Sequence, residues 1–238
     1  MTDNAFEDIG DEPRPPRPKG PVKRVRPRDA ATLILINSNG PAPTVLMGRR
    51  HGGHNFMPGK WVFPGGRIDR SDFSAPAHSE LAPHVADRVG KTAPAPRARA
   101  LAMAAVRETY EECGLLLAKP APVRDAPGPW KEFLGHGAMA DLEALSFVAR
   151  AITPPSSPKR FDARFFMATA DRLISMDRQP DCGELDEIAW VALDEALNLD
   201  LPSVTRFVLK EIPLRLADPA RPVPFLRFMW SAPRTSYL

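Results

Sequence analysis

The stretch "AAVRETYEECGLLL", residues 104–117, puts Glu108, Glu111 and Glu112 within five residues, with Arg107 ahead of them and Gly114 behind. At about 100° per residue, a helix sets Glu111 roughly 60° to one side of Glu108 and Glu112 roughly 40° to the other. Met103, Val106, Tyr110 and Cys113 fall on the opposite side. The segment therefore reads as an amphipathic helix over about 97–113, apolar on one face and dense in carboxylate on the other. Gly114 suits its C-cap, because glycine enters the left-handed conformation without a Cβ penalty.

As plain structure this face is unfavourable. Like charges at i, i+4 cost a helix about 0.2–0.5 kcal/mol, and carboxylates near a C-terminus oppose the macrodipole. Arg107 can pair with Glu111 but cannot neutralise three carboxylates. A hard divalent cation can, since Mg²⁺ selects carboxylate oxygen. A solvated acidic face remains the competing explanation from the helix alone.

Outward from the helix, 238 residues and 43% hydrophobic content support a real core. The net charge of +3 is unevenly spread. Residues 1–28 hold five acids and then seven Lys or Arg, a balance of +2 that leaves +1 for residues 29–238. The Pro/Arg-rich stretch "DEPRPPRPKGPVKRVRPRD" cannot build a core and reads as a disordered arm over 1–28. The near-neutral body argues against nucleic acid as a partner. Cys113 and Cys182 make neither a disulfide framework nor a zinc site. No apolar run approaches the length of a membrane span, and no secretory pattern follows the N-terminus. A soluble, cytoplasmic protein with no membrane partner is expected, and a homodimer is compatible with these features.

Alternation and turn residues mark strands at "ATLILIN" (31–37), "TVLMGRR" (44–50), "KWVFPGG" (60–66), "ARFFMATA" (163–170) and "EIAWVAL" (187–193). The first two should form a hairpin around "SNGPAP". "LEALSFVARAI" (142–152) reads as helix entering strand, and "DEALNLD" as helical. "PSVTRFVLKEIPLRLA" is a helix opened by proline. The simplest parsing of residues 29–238 is a single α/β domain.

"FPGGRIDRSD" (63–72) and "VRETYEECGLL" (106–116) together resemble the signature of the Nudix hydrolase family. That signature is a glycine, five residues, an acid, seven residues, then Arg-Glu-apolar-x-Glu-Glu-x-Gly-apolar. Gly66 matches the first glycine and Asp72 the first acid, where glutamate is usual. Arg107, Glu108, Glu111, Glu112, Gly114 and Leu115 match the second half, with Thr109 in an apolar slot. The stretch 73–106 separates Asp72 from Arg107, where the signature has only seven positions. An interruption of this kind, with "RFDARFFMA", resembles the branch containing peroxisomal-type coenzyme A diphosphatases and their bacterial relatives.

The resemblance implies an α/β Nudix fold, a mixed β-sheet sandwiched between helices, with an insertion inside the box at about 73–99. It implies Mg²⁺- or Mn²⁺-dependent hydrolysis of a pyrophosphate bond joining a nucleoside diphosphate to another moiety, coenzyme A or an acyl-CoA among the candidates. A non-catalytic Nudix-fold sensor and an RNA-end pyrophosphohydrolase are the alternatives. By motif, Glu108 and Glu112 are metal ligands, assisted by Glu111 and the Gly65 carbonyl. Arg107 orients a neighbouring carboxylate, and Asp72 and Glu111 are catalytic candidates. Glu184, on a loop before a strand, is a candidate general base. For the small-molecule diphosphate substrate, Arg49 or Arg50 is expected to grip phosphate, Trp61 to stack, and Gly66 to let the loop pass close to the site. His51 and His54 follow no zinc spacing. Residues 73–99 are expected to form a partly helical flap that borders the cleft and shapes specificity.

Overall fold

The computed structural model describes residues 25–53, 58–126, 128–178, 185–228 and 233–238. Residues 1–24 of the arm, His54, Cys182 and Glu184 lie outside the described residues.

The chain opens with β1 (Arg28–Asn37), β2 (Thr44–Arg50), β3 (Trp61–Val62) and β4 (Gly65–Arg67). It continues through β5 (Ala77–Ser79), α1 (Pro83–Gly90), α2 (Ala95–Cys113), β6 (Ala118–Pro120), α3 (Trp130–Gly135) and β7 (Ala138–Asp141). β8 (Ser146–Ile152), β9 (Phe161–Thr169), β10 (Leu185–Ala192), α4 (Ser203–Ala217), β11 (Pro224–Phe228) and β12 (Pro233–Tyr237) complete it. Among the described residues the main sheet runs β10-β2-β1-β9-β8-β11-β12, with β3 on β2 and β4 on β1. It is mixed: β1 pairs with β9 in parallel and with β2 and β4 antiparallel. A second sheet runs β5-β7-β6.

β1 explains the layering. Its apolar run is unbroken because both faces of a central strand are covered. Leu33 and Leu35 enter a core shared with α1, α2 and α3. Ile34 and Ile36, offset by one residue, enter the core under α4. The sheet is thus sandwiched between helices, as the resemblance implies. Its centre is where the box lies, because β4 and α2 both pack on β1.

Some elements differ from the sequence reading or were not legible in it. "DEALNLD" contributes only a short 3-10 turn over Ala196–Asn198. The second sheet, α3 and the β11–β12 hairpin have no clear periodicity in the sequence. Residues 73–99 are partly helical, as expected, and are built into the core rather than standing off it. β5 pairs with β7, Val85 and Val89 of α1 are buried in the main core, and residues 95–99 are the first turns of α2 itself. A segment dotted with prolines and lacking a strand pattern packs here because its alanines and valines are small enough to lie against α2.

Candidate active site

Pro64 ends β3 and turns the chain into β4, where Gly65 lies opposite Thr32 and Gly66 opposite Ala31. Both glycines are needed for close approach. A Cβ on Gly65 would stand 2.5 Å from the Ala31 carbonyl oxygen and 2.7 Å from the Thr32 Cα. A Cβ on Gly66 would collide with the Glu108 carboxylate. The missing side chains let the acidic face of α2 lie directly on the β4 backbone. There the Gly65 N–H donates to Glu112 Oε2 at 2.8 Å. Gly114, at φ 68°, ends α2 and donates its N–H to the Tyr110 carbonyl.

Arg107 is the hub. Its Nε and Nη2 donate to the two oxygens of Asp72 at 2.9 and 3.0 Å. Its Nη1 donates to Glu108 Oε1 at 2.9 Å and to Glu111 Oε2 at 2.8 Å. Nη2 also reaches the Arg67 carbonyl at 2.9 Å. Asp72 is fully buried. It accepts two further hydrogen bonds, from Trp130 Nε1 at 2.9 Å and from the Asp69 N–H at 2.8 Å. The two halves of the box, held apart in sequence by the stretch 73–106, therefore close on one guanidinium. Asp72 spends both oxygens on this closure and is set behind Arg107, so it acts as an anchor rather than as a group facing a ligand.

The electrostatics follow from one guanidinium among several carboxylates. Burial alone would lower the Arg107 pKa, but the Asp72 hydrogen bonds and the charges of Glu108, Asp72 and Glu111 raise it well above its ordinary value. Glu108 is pushed up, by burial first and by Glu111 and Asp72 as well, against the pull of Arg107.

A cleft of 1690 Å³ opens beside this cluster, lined by Gly65, Gly66, Arg107, Glu108, Glu111, Glu112 and Arg50. Arg50 Nε is buried and has no hydrogen-bond partner among the described residues. Two of the expected substrate contacts are elsewhere. Arg49 points along the sheet surface to Glu187 at 3.2 Å, because adjacent strand residues face opposite sides. Trp61 packs against the core under α4 and does not border the cleft. Trp130 was not singled out from the sequence. A lone tryptophan in a proline-rich loop gives no local sign that it reaches a carboxylate far earlier in the chain.

Among the described residues no three His, Cys, Asp or Glu side chains form a close ligand cage. For Mg²⁺ this is no obstacle, since it keeps several waters and takes only one or two carboxylates. The donor set suits it: the carboxylates of Glu108, Glu111 and Glu112 stand together on the cleft wall, and burial, with the charges of Glu111 and Asp72, raises the cost of ionising Glu108. No helix of the described residues is long and apolar enough to cross a membrane.

No family model matches the chain. It is 27% identical to a NUDIX hydrolase from Alicyclobacillus acidocaldarius of known structure, with a TM-score of 0.60, over 81% of this chain and 96% of that one. It is 30% identical over 233 residues to the human acyl-coenzyme A diphosphatase NUDT19, covering 76% of this chain and 58% of that protein. The chain has the Nudix hydrolase fold. Putative nudix hydrolase 7 of Caenorhabditis elegans is 28% identical over 183 residues, covering 72% of this chain and 53% of that protein. The chain thus spans little more than half the length of these two curated relatives. Within the family fold, its distinguishing feature is a box whose halves are joined by the packed segment carrying β5 and α1.

Proposed function

We propose that this Nudix protein hydrolyses the pyrophosphate bond of a nucleoside diphosphate derivative, with coenzyme A or an acyl-CoA as the substrate class. The observation that carries the reading is the closure of the interrupted box: Arg107 gathers Asp72, Glu108 and Glu111 while Glu112 meets the Gly65 N–H, all beside one cleft. A degraded box would suit a ligand sensor, whereas all three helix glutamates stand on the cleft wall here.

Glu108 and Glu112 would hold Mg²⁺ or Mn²⁺, with Glu111 and the Gly65 carbonyl assisting. A non-hydrogen-bonded residue of an antiparallel pair aims its N–H and C=O away from the partner strand. The Gly65 N–H goes to Glu112 rather than β1, so its carbonyl belongs to the same edge. When bound, such a cation supplies charge neutralisation at the diphosphate oxygens and a lower pKa for attacking water.

The chain's own groups do the rest. Glu111 has the most open of the Arg107-bound carboxylates, 36% exposed against 17% for Glu108. It is the proton acceptor we favour for the attacking water. Arg107 and Asp72 are positioning residues that hold Glu108 and Glu111 in register. Arg50 presents its guanidinium to a phosphate oxygen, which would also satisfy its buried Nε.

Incubation with coenzyme A, acyl-CoAs, ADP-ribose and dinucleoside polyphosphates, each with Mg²⁺ or Mn²⁺, tests this. Coenzyme A should yield 4′-phosphopantetheine and adenosine 3′,5′-bisphosphate. Failure to cleave any diphosphate with either metal would overturn the catalytic reading, and cleavage restricted to ADP-ribose or dinucleotides would overturn the coenzyme A class.

A further inference from the structure

The cleft does not end at the glutamates. It continues along β1 to the connection between β8 and β9, and its charge reverses on the way. Arg26, Arg28 and Lys159 line this far end, all exposed, and none has an ion pair or side-chain hydrogen bond among the described residues. Behind them stands a fixed cationic floor. Arg150 makes a two-point bridge to Asp162 at 2.8 and 2.6 Å. Arg164, 2% exposed, bonds to Asp29 at 2.7 Å and to the Asp162 and Thr92 carbonyls at 2.8 and 3.2 Å. Asp29 is shared with Arg97 at 3.3 Å.

Six cations thus face two carboxylates, an excess of four positive charges on one concave wall. An ordinary solvated face intersperses its charges. This one concentrates a single sign over a partly buried layer, which raises the local potential for anions. Burial, with repulsion from Arg150, lowers the Arg164 pKa against the pull of Asp162 and Asp29, a crowding that an anion would relieve. Distance also fits a second group on the same ligand. Arg28 lies four residues before Thr32, the partner of Gly65, which is about 13 Å of strand. The long side chains of Arg28 and Lys159 shorten that span.

We propose that this cationic end is a second phosphate subsite. It takes a phosphomonoester carried on the substrate's nucleoside, such as the 3′-phosphate of a 3′-phosphoadenosine group, while the scissile diphosphate lies at the glutamates. Arg28 and Lys159 are its specificity-determining contacts, and Arg150 and Arg164 set the field behind them. The proposal rests on the diphosphatase reading for its orientation, and the test separates the two.

The kcat/KM of coenzyme A is compared with that of 3′-dephospho-coenzyme A, in the unmodified protein and in an R28Q/K159Q variant. Both substituted residues are exposed, so the fold should survive. The unmodified protein should prefer coenzyme A by about tenfold or more, and the variant should bring the ratio close to one. A ratio near one in the unmodified protein, or an unchanged ratio in the variant, would overturn the subsite. If neither compound is cleaved, the diphosphatase reading fails by itself. Calorimetric binding then decides the subsite: adenosine 3′,5′-bisphosphate should bind about tenfold tighter than adenosine 5′-monophosphate, and the variant should lose that margin. Equal binding of the two would overturn it.

Discussion

Two buried clusters of arginine and carboxylate sit on opposite faces of the sheet, and they differ in stoichiometry. On α2, Arg107 serves Asp72, Glu108 and Glu111. On α4, one carboxylate, Glu211, serves two arginines: Arg221 at 2.7 Å and, through an i,i+4 pair, Arg215 at 3.5 Å. The Arg215 Nη1 and Nη2 also donate to backbone carbonyls, among them Pro219 and Pro222, while its Nε is buried without a partner among the described residues. Burial lowers the Arg215 pKa below its ordinary value, whereas the Arg107 pKa is raised by its excess of carboxylates. The α4 cluster fastens the loop after the helix through Arg215 and Arg221. The α2 cluster has surplus negative charge and borders a cleft, where a cation from outside would balance it. Similar residues at similar spacing are a brace in one place and a candidate reaction centre in the other, and the count of charges distinguishes them.

Four substitutions test that contrast, in descending order of effect. Glu112→Gln keeps the shape and an acceptor for the Gly65 N–H but removes a charge. It should lower kcat by about 10³-fold and weaken Mn²⁺ binding, with an unchanged circular dichroism spectrum. Activity near that of the unmodified protein would remove Glu112 from the reaction centre.

Asp72→Asn puts an amide NH₂ against donors that all point inward. Chemical denaturation should register a loss of about 3 kcal/mol, as for a broken buried ion pair. Activity should fall in step with the misplacement of Arg107, by about 10–100-fold. Full stability with lost activity would mean that Asp72 acts on the ligand directly.

Glu211→Gln should cost about 2 kcal/mol of stability and leave kcat/KM within about twofold at temperatures where the protein is folded. A large kinetic effect would show that the α4 brace communicates with the cleft.

The smallest effect belongs to Asp141, which ties β7 to Ser79 at 2.7 Å and to Arg172 at 2.7 Å. Burial alone would raise its pKa, but the Ser79 and Arg172 hydrogen bonds bring it below the ordinary 3.8. A depressed carboxylate contributes stability that is present above its unfolded pKa and lost as pH falls through the folded one. Denaturation midpoints of the unmodified protein should therefore drop below pH ~4, and Asp141→Asn should remove about 1 kcal/mol of that dependence. Identical pH profiles would show that Asp141 contributes nothing to it.

Much of the site was legible because it is local. Glu108, Glu111 and Glu112 share a helix face by spacing alone, and Gly65 and Gly66 precede them in a short turn. Arg49 and Arg50 show where local reading stops. Adjacent in sequence, they face opposite sides of β2, and only the sheet's neighbours tell which side borders the cleft. Residues 73–99 gave proline and alanine without a strand pattern, which reads in sequence as a partly helical flap. Packing on α2 makes it part of the core, so replacing it with a short linker would expose Val85 and Val89 and remove the first turns of α2.

By itself the sequence determined the carboxylate face of α2, its glycine stop and the two-sided apolar run of β1. Each follows from backbone periodicity, which acts over a few residues. Only the tertiary structure decided that Asp72 returns to Arg107 across the insertion and that Trp130 joins it. It also decided that the cations of β1 and the β8–β9 connection share a cleft with the glutamates. Those pairings depend on strand register and on which buried donors find acceptors, and an isolated stretch of chain carries neither.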